Sequence, residues 1–346
     1  MAAALTITID TELDNEWTPD APRTDGNLER LPEIQERLRA LGARPTFLVS
    51  YGAVTSARGE RIVSELGRSG ECEIGAHLHP WETPPLTPRE KGRCARHEFP
   101  HRLESPVLRQ KLGCLTEAIA WTIGRQPVSY RAGRWGMDGR GIALLEEFGY
   151  LVDTSVSPLI CWHAGNCPGS AGDGPCFRRA PVHPYFPGRC DIAQSGETSM
   201  LEVPVSIRLN RGAGALHALY SGLPSRHLIA RGLRRCGIVK PVWMRPTYSS
   251  STQMIWLART LLGEGVPVLN MMFHSSELAV GTSPYVRSQR GLARMWERIE
   301  TTVRHLLHEM RVVPLTLSEF RNHWIGQQSR EAARRSSGAG ARRPAC

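Results

Sequence analysis

The chain has 346 residues, of which 41% are hydrophobic and 22% charged, and its formal net charge is +10. This composition excludes a disordered chain, because enough apolar residues are present to build a sizeable core. No apolar run approaches the roughly 20 residues of a membrane helix, and the amino terminus lacks the basic segment of a secretory signal peptide. We therefore expect a cytoplasmic protein without a transmembrane segment. The basic residues are scattered, so nucleic-acid binding is not expected.

Strands and helices alternate from the amino terminus, as their hydrophobic periodicity indicates. Strands are predicted at residues 5–9, 45–51, 73–77, 127–133, 150–153, 201–207 and 266–274. Helices are predicted at residues 27–41, 60–66, 106–123, 139–148, 213–235, 251–262 and 290–310. About seven strands that alternate with helices are typical of an α/β fold with a parallel sheet, open or closed.

Two segments depart from this alternation. Residues 158–197 are rich in glycine, proline, cysteine and histidine, and a loop of this length is usually functional. This segment contains four cysteines, which could form a structural zinc site or be free thiols. They are Cys161, Cys167, Cys176 and Cys190. Residues 327–346 are rich in arginine, serine and glycine and are predicted to be a disordered tail. The remaining residues, 1–326, then form one domain with an insertion at about 158–197.

Ionisable residues lie at the predicted carboxyl ends of five strands, where parallel α/β folds place their chemistry. These residues are Asp10, Glu12, His77, His79, Arg131, Asp153 and His274. Each motif alone is equally typical of a solvated loop. Together they predict a site at one edge of the sheet.

Spacing adds a chemical argument for the first two of these strands. Alternate residues of a strand share a face, so Asp10 and Glu12 face the same way, as do His77 and His79. Two imidazoles and one carboxylate make a three-ligand catalytic metal site with an open position for water. The pattern therefore indicates a divalent metal, with zinc as the expected ion.

Five short motifs, TIDTE, EIGAHLHPW, YRAGRWG, LVDTS and MMFHSSEL, occur in the order and spacing of the polysaccharide deacetylase family. The sequence resembles this family, carbohydrate esterase family 4 with its NodB homology domain, over residues 4–320. The segments HLHPWETPP, RAGRWG and FHSSEL resemble an intracellular branch associated with bacterial surface polysaccharides. The resemblance implies a distorted (β/α) barrel of about seven strands with one divalent metal per chain.

The resemblance also implies roles for individual residues. Asp10 matches the catalytic base, and Arg131 matches the arginine that positions this base. Glu12 and His77 match metal ligands. Asp153 matches the acid that tunes the catalytic histidine, and His274 matches the general acid.

The sequence departs from the family pattern at two positions. The family usually has two adjacent aspartates where this chain has Asp10-Thr11-Glu12, and a second metal histidine where this chain has Trp81. We infer from the shared strand face that His79 is the second metal histidine. The departure leaves a catalytically degenerate barrel as an alternative.

The expected function is the metal-dependent removal of an N-acetyl group from a sugar in a polysaccharide or glycoconjugate. Residues expected to contact the sugar are Trp81, Arg134, Trp135 and Tyr185, and Trp162 of the insertion is expected to help shape the pocket. Two alternatives remain open: hydrolysis of another non-peptide C–N bond on the same barrel, and a barrel that binds sugar or metal without turnover. The sequence makes no prediction of oligomeric state.

Overall fold

The computed structural model describes residues 2–17, 21–86, 99–163, 174–210 and 239–339, with side chains to residue 330. The predicted helix at 213–235 and Cys167 lie outside these residues. The strands are β1 (Ala4–Thr11), β2 (Pro45–Val49), β3 (Glu73–Leu78), β4 (Ser129–Ala132), β5 (Val152–Asp153), β6 (Leu201–Glu202), β7 (Ile207–Leu209), β8 (Pro241–Trp243), β9 (Val268–His274) and β10 (Val313–Pro314). The helices are α1 (Leu31–Ala40), α2 (Tyr51–Thr55), α3 (Ala57–Ser69), α4 (Ser105–Ile123), α5 (Gly139–Glu147), α6 (Ser251–Gly263), α7 (Gln289–Arg304) and α8 (Leu317–Ala339).

Seven strands form a curled parallel sheet in the order β9, β1, β2, β3, β4, β5, β6, and the short β10 also pairs with the start of β1. Strands β7 and β8 form a separate antiparallel hairpin. Residues next to this hairpin are hydrogen-bonded to β9. Met244, which follows β8, donates its N–H to the Ser206 carbonyl, and Met272 of β9 donates its N–H to the Met244 carbonyl. The predicted α/β fold, a distorted (β/α) barrel of about seven strands, is therefore confirmed.

Local sequence signals explain where helices begin and end, as α3 shows. The Ser56 hydroxyl accepts a hydrogen bond from the Gly59 backbone N–H at the start of the helix. Ile62 and Leu66 are buried on the face that packs into the core. Gly70 ends the helix in the left-handed conformation, with φ of 70°, which glycine adopts without the steric cost that other residues meet.

The predicted strand at residues 201–207 is divided in the structure. Leu201 and Glu202 pair with β5, whereas Ile207 begins the β7–β8 hairpin. The intervening residues, 203–206, leave the sheet, although they are buried like a strand. The sequence does not reveal where the strand ends, because the residues outside the sheet are as apolar and as buried as those within it.

Helix α8 continues to Ala339, past residue 327, where the predicted tail begins. A reciprocal pair starts this helix: Thr316 N–H donates to the Glu319 carboxylate, and Glu319 N–H donates to the Thr316 hydroxyl. Leu317 and Phe320 are buried and anchor its first turns. The expected boundary at residue 326 falls inside the helix. Among the described helices, none combines the length and apolar character needed to cross a bilayer.

Candidate active site

Six of the seven strand-end residues meet in one cavity of about 110 Å³ at the carboxyl ends of the parallel strands. Strand pairing brings them together, since Asp10 is in register with His274 and His77 is in register with Arg131. The six residues are Asp10, Glu12, His77, His79, Arg131 and His274. The sequence prediction of a site at one edge of the sheet agrees with this arrangement.

Glu12 lies at the centre of the cluster and contacts three histidines. Its Oε2 atom is 3.1 Å from His79 Nε2. Its Oε1 atom is 3.2 Å from His274 Nε2 and 3.8 Å from His77 Nε2. Each histidine therefore directs the same ring nitrogen toward one buried carboxylate.

The donor set of Glu12, His77 and His79 fits a divalent metal. Their ligand atoms all lie within 4.8 Å of one another. His77 Nδ1 is 2.9 Å from the Arg131 carbonyl and donates to it, which leaves the Nε2 lone pair free for an ion. Burial lowers the pKa of His77 to about 4 and that of His79 to about 3, so both rings are neutral at pH 7, as ligands must be.

Asp10 is the ionised carboxylate of the site. Burial alone would raise its pKa, but the charge of Arg131, followed by His77 and His274, lowers it to about 2. Arg131 donates to Asp10 Oδ1, while Thr8 accepts from its other guanidinium nitrogen. The Oδ2 atom of Asp10 faces His274 Nε2 at 3.7 Å. Asp10 is thus held on one side and faces the histidine cluster with the other oxygen.

The environment of His274 includes a buried ion pair that the sequence did not reveal. Its Nδ1 atom is 3.1 Å from Glu277 Oε1 and 3.2 Å from Arg245 Nη2. Arg245 and Glu277 form a salt bridge with each other. Burial opposes ionisation of Glu277, but Arg245 and then His274 lower its pKa to about 2. The anionic carboxylate orients the His274 ring.

Asp153, which the family resemblance gives as the acid that tunes His274, does not line the cavity. Asp153 Oδ1 accepts from the Ser155 hydroxyl at 2.6 Å, and its other partner is Glu202. Burial raises the pKa of both carboxyls. Glu277 occupies the position beside His274 instead. A short turn after β9 places Glu277 there, and spacing alone does not predict such a turn.

Of the four residues expected to contact the sugar, three line the cavity and one does not. Trp81, Arg134 and Trp135 line the cavity. Tyr185 does not, because it is buried elsewhere and its hydroxyl donates to the Ile192 carbonyl at 2.5 Å. The structure therefore does not bring Tyr185 together with the other three expected sugar contacts. The sequence does not distinguish a buried tyrosine from one that stacks on a sugar.

The backbone around these residues has unusual geometry. Arg134 and Trp135 have φ of 52° and 64°, in the left-handed region that residues other than glycine rarely occupy. The guanidinium carbon of Arg134 lies 5.6 Å from the Trp81 ring centroid. The Trp81 ring in turn lies 4.2 Å from that of His79. The strained turn after β4 thus places the Arg134 cation beside the Trp81 ring at the cavity.

Sequence reasoning placed Trp162 near the pocket, and the structure has it in the cavity wall. It missed other lining residues, namely Glu16, Trp17, Arg245, Tyr248 and Tyr285. Trp17 packs edge-on against His274, with ring centroids 4.7 Å apart. The only available signal was the proximity of Glu16 and Trp17 to the TIDTE motif.

Two features fix the segment that follows β3. Lys111 of α4 is fully buried, and its ammonium donates to the carbonyls of Pro80, Thr83 and Pro85 at 2.7–2.9 Å. Gly133 packs so closely that a Cβ atom there would be 2.6 Å from His79 Nδ1. The position of the His79 ring therefore depends on neighbours from two other elements.

A comparison with protein-family models gives no match, and a comparison with curated proteins gives none. A solved structure from Mycobacterium smegmatis, described as a polysaccharide deacetylase, is 18% identical, covers 95% of this chain and 92% of its own, and has a TM-score of 0.53. A structure from Parabacteroides distasonis, described as a glycoside hydrolase/deacetylase, is 12% identical, covers 94% and 72%, and has a TM-score of 0.56. The chain therefore has the fold of the polysaccharide deacetylases.

Proposed function

We propose that the protein is a metal-dependent hydrolase that removes the N-acetyl group of a sugar in a polysaccharide or glycoconjugate. One observation carries the proposal: an ionised Asp10 and the Nε2 atom of His274 lie 3.7 Å apart, beside a buried set of two imidazoles and a carboxylate. This arrangement supports a reaction that uses a proton acceptor, a proton donor and metal ligands around one cavity. The fold relatives described as deacetylases support the same reaction class.

Glu12, His77 and His79 would hold the divalent ion, which we propose to be Zn²⁺. The ion supplies Lewis-acid chemistry, which makes water a stronger nucleophile and polarises the amide carbonyl. His79 takes the place of the second metal histidine, because its Nε2 atom faces Glu12 and Trp81 has no metal-binding atom. The indole N–H of Trp81 donates to Glu16 instead.

The reaction needs one proton to be removed and another to be delivered. Asp10 accepts a proton from the attacking water at Oδ2, because Arg131 holds Oδ1. His274 donates a proton from Nε2 to the departing amine, while Glu277 holds Nδ1. The amide C–N bond breaks, and acetate and a free amino sugar are released. Arg134 and the cavity tryptophans are positioned to contact the sugar.

The test is metal reconstitution followed by product analysis. Chelator-treated protein is loaded with Zn²⁺, Co²⁺ or Mn²⁺ and incubated with N-acetylated mono- and oligosaccharides, and acetate and ammonia are both quantified. We expect metal-dependent acetate release that is lost in His274→Ala and retained in the exposed control His183→Ala.

Other outcomes point to the alternatives. Ammonia without acetate, or ring opening of cyclic amides, would indicate a different C–N hydrolase. Metal and sugar binding without any product would contradict the catalytic proposal and favour a binding protein.

A further inference from the structure

A second group of metal-ligating side chains lies in the insertion, separate from the histidine cluster. Two short stretches, residues 159–162 and 174–177, pair through backbone hydrogen bonds. Trp162 N–H donates to Pro175 at 2.8 Å, and Phe177 N–H donates to Ile160 at 2.8 Å. Cys161 and Cys176 face each other across this antiparallel pair.

The pairing gathers three ligands, two thiols and one imidazole, at one end of the loop. The sulfurs of Cys161 and Cys176 and a ring nitrogen of His163 all lie within 4.8 Å of one another. Ligand atoms around a tetrahedral Zn²⁺ are roughly 3.3–3.8 Å apart, given bond lengths of about 2.0–2.3 Å. Only a small contraction of side chains is needed to close the set on an ion. His163 and Cys176 are exposed, so an ion has access.

Hydrogen bonds around the sulfurs favour metal binding. A side-chain hydrogen bond joins the Cys161 and Cys176 sulfurs, so the two lie close together. The backbone N–H groups of His163 and Arg178 donate to the sulfurs of Cys161 and Cys176, respectively, each from two residues further along the chain. Backbone donors of this kind are common hydrogen-bond partners of metal-bound ligands.

We propose that Cys161, His163 and Cys176 bind a Zn²⁺ that is distinct from the ion of the catalytic site, with a water molecule as its fourth ligand. Thiolate and imidazole together select zinc over the hard cations that prefer oxygen ligands. The catalytic cluster offers only oxygen and nitrogen donors. The two sites therefore differ in chemistry as well as in position.

The proposed ion would stabilise the position of Trp162, one of the residues that line the catalytic cavity. Trp162 lies between two of the ligands, and its indole lines the cavity. Its Nε1 atom donates to Ser157 at 2.8 Å, and its ring stacks on Trp135 with an interplanar angle of 10°. Because Cys161 and His163 are the chain neighbours of Trp162, a metal bound to both would restrain the backbone of Trp162. Loss of the ion then changes substrate binding without removing a catalytic group.

Cobalt substitution tests the proposal without reference to activity. A thiolate-bound Co²⁺ has a sulfur-to-metal charge-transfer band in the near ultraviolet, which the Glu12–His77–His79 site cannot produce. We expect this band in Co²⁺-loaded wild type, in His77→Ala and in the control Cys190→Ser, whose exposed cysteine lies outside the group. We expect its loss in Cys161→Ser and Cys176→Ser. His163→Ala, at an exposed position, is the variant least able to disturb folding and should weaken the band strongly.

Metal content gives a second, quantitative readout. Wild-type protein purified under reducing conditions should contain one zinc more per chain than Cys161→Ser, while His77→Ala should lose a different zinc. Equal zinc in wild type and Cys161→Ser, or no charge-transfer band in wild type, would overturn the proposal. A disulfide between Cys161 and Cys176, seen as two missing thiols before reduction, would overturn it as well. Since the assays do not measure turnover, failure of the proposed deacetylation would leave this result intact.

Discussion

At the scale of single residues, the proposed role of Asp10 as a base can be separated from the proposed role of Glu12, His77 and His79 as metal ligands. Asp10 is held by Arg131 and has its pKa lowered to about 2, so it is an acceptor at neutral pH. We expect Asp10→Asn to reduce the rate of deacetylation roughly 10²–10⁴-fold, the usual contribution of a general base. The metal content should stay at the wild-type level, because the proposed ligand set of Glu12, His77 and His79 does not include Asp10. Atomic absorption on the purified variant provides the check, and an emptied site would make Asp10 a ligand.

The two carboxylates near the barrel mouth allow a direct comparison. Glu277 contacts His274, whereas Asp153 contacts Ser155 and Glu202. We expect Glu277→Gln to lower kcat and Asp153→Asn to leave it near the wild-type value. Glu277→Gln also leaves the charge of Arg245 buried without its partner, which costs about 3–5 kcal/mol of stability.

Steady-state kinetics and urea denaturation on both variants measure the two effects separately. Because Glu277→Gln is expected to lose stability, kcat is measured at a temperature where the variant is fully folded. A kcat lost in Asp153→Asn but kept in Glu277→Gln would restore the assignment based on the family resemblance.

At the scale of elements, the ends of β3 and β4 determine the position of His79. A Cβ at Gly133 would lie 2.5 Å from the Leu78 carbonyl oxygen and 2.6 Å from His79 Nδ1. We expect Gly133→Ala to displace the end of β3 and to weaken metal binding by about 10–100-fold, as changes beside metal ligands commonly do. Gly263→Ala is the matched control, since nothing lies within 4 Å of its Cβ position.

Competition of each glycine variant with a chelator measures this effect. Gly133→Ala with unchanged metal affinity would show that the contact with His79 relaxes without consequence.

Elements also show how far sequence alone predicted the site. The ends of β1, β3, β4 and β9 were predictable, because an ionisable residue after an apolar strand has a defined place in a parallel sheet. Glu277 and Arg245 were not, because loops bring them together. The β7–β8 hairpin was not predicted either, since residues 201–207 have the apolar pattern of a single strand. The hydrophobic pattern predicts which face of a helix or strand is buried and where the element ends. It does not predict the conformation of the loops that connect the elements.

At the scale of the whole molecule, burial of neutral histidines makes the metal-free protein sensitive to acid. The folded-state pKa values of His77 and His79, about 4 and 3, lie below the ordinary value of 6.5. Between pH 6.5 and 4 the unfolded chain therefore binds protons that the folded chain does not. Each histidine lowers the free energy of unfolding by about 1.4 kcal/mol per pH unit in this range as pH falls.

His79→Gln removes one of these two contributions. In the presence of a chelator, the free energy of unfolding of this variant should fall less steeply than that of wild type between pH 6.5 and 4, by the amount expected for one histidine. Urea denaturation at several pH values gives the slopes. Parallel curves for the two proteins would show that His79 is protonated in the folded state.

The carboxyl-terminal helix is the other feature of the whole molecule to test. Leu317 and Phe320 anchor α8 in the core, and Trp324 packs beside them. We expect a chain that ends at Gly326 to keep its fold and its rate on a soluble substrate, because these apolar contacts precede the truncation. Thermal denaturation and kinetics provide the measurement, and a large fall in rate would place the later turns of α8 in the site.

The buried Lys111 makes the segment around the site accessible to chemical labelling. The chain has three lysines, of which Lys240 is exposed and Lys111 is enclosed by three carbonyl oxygens. An amine-specific reagent reaches Lys111 only when the segment after β3 separates from α4. The labelling rate of Lys111 relative to that of Lys240 thus reports the free energy of this local opening. Because His79 lies in the same segment, bound metal should slow the labelling of Lys111 and leave Lys240 unaffected.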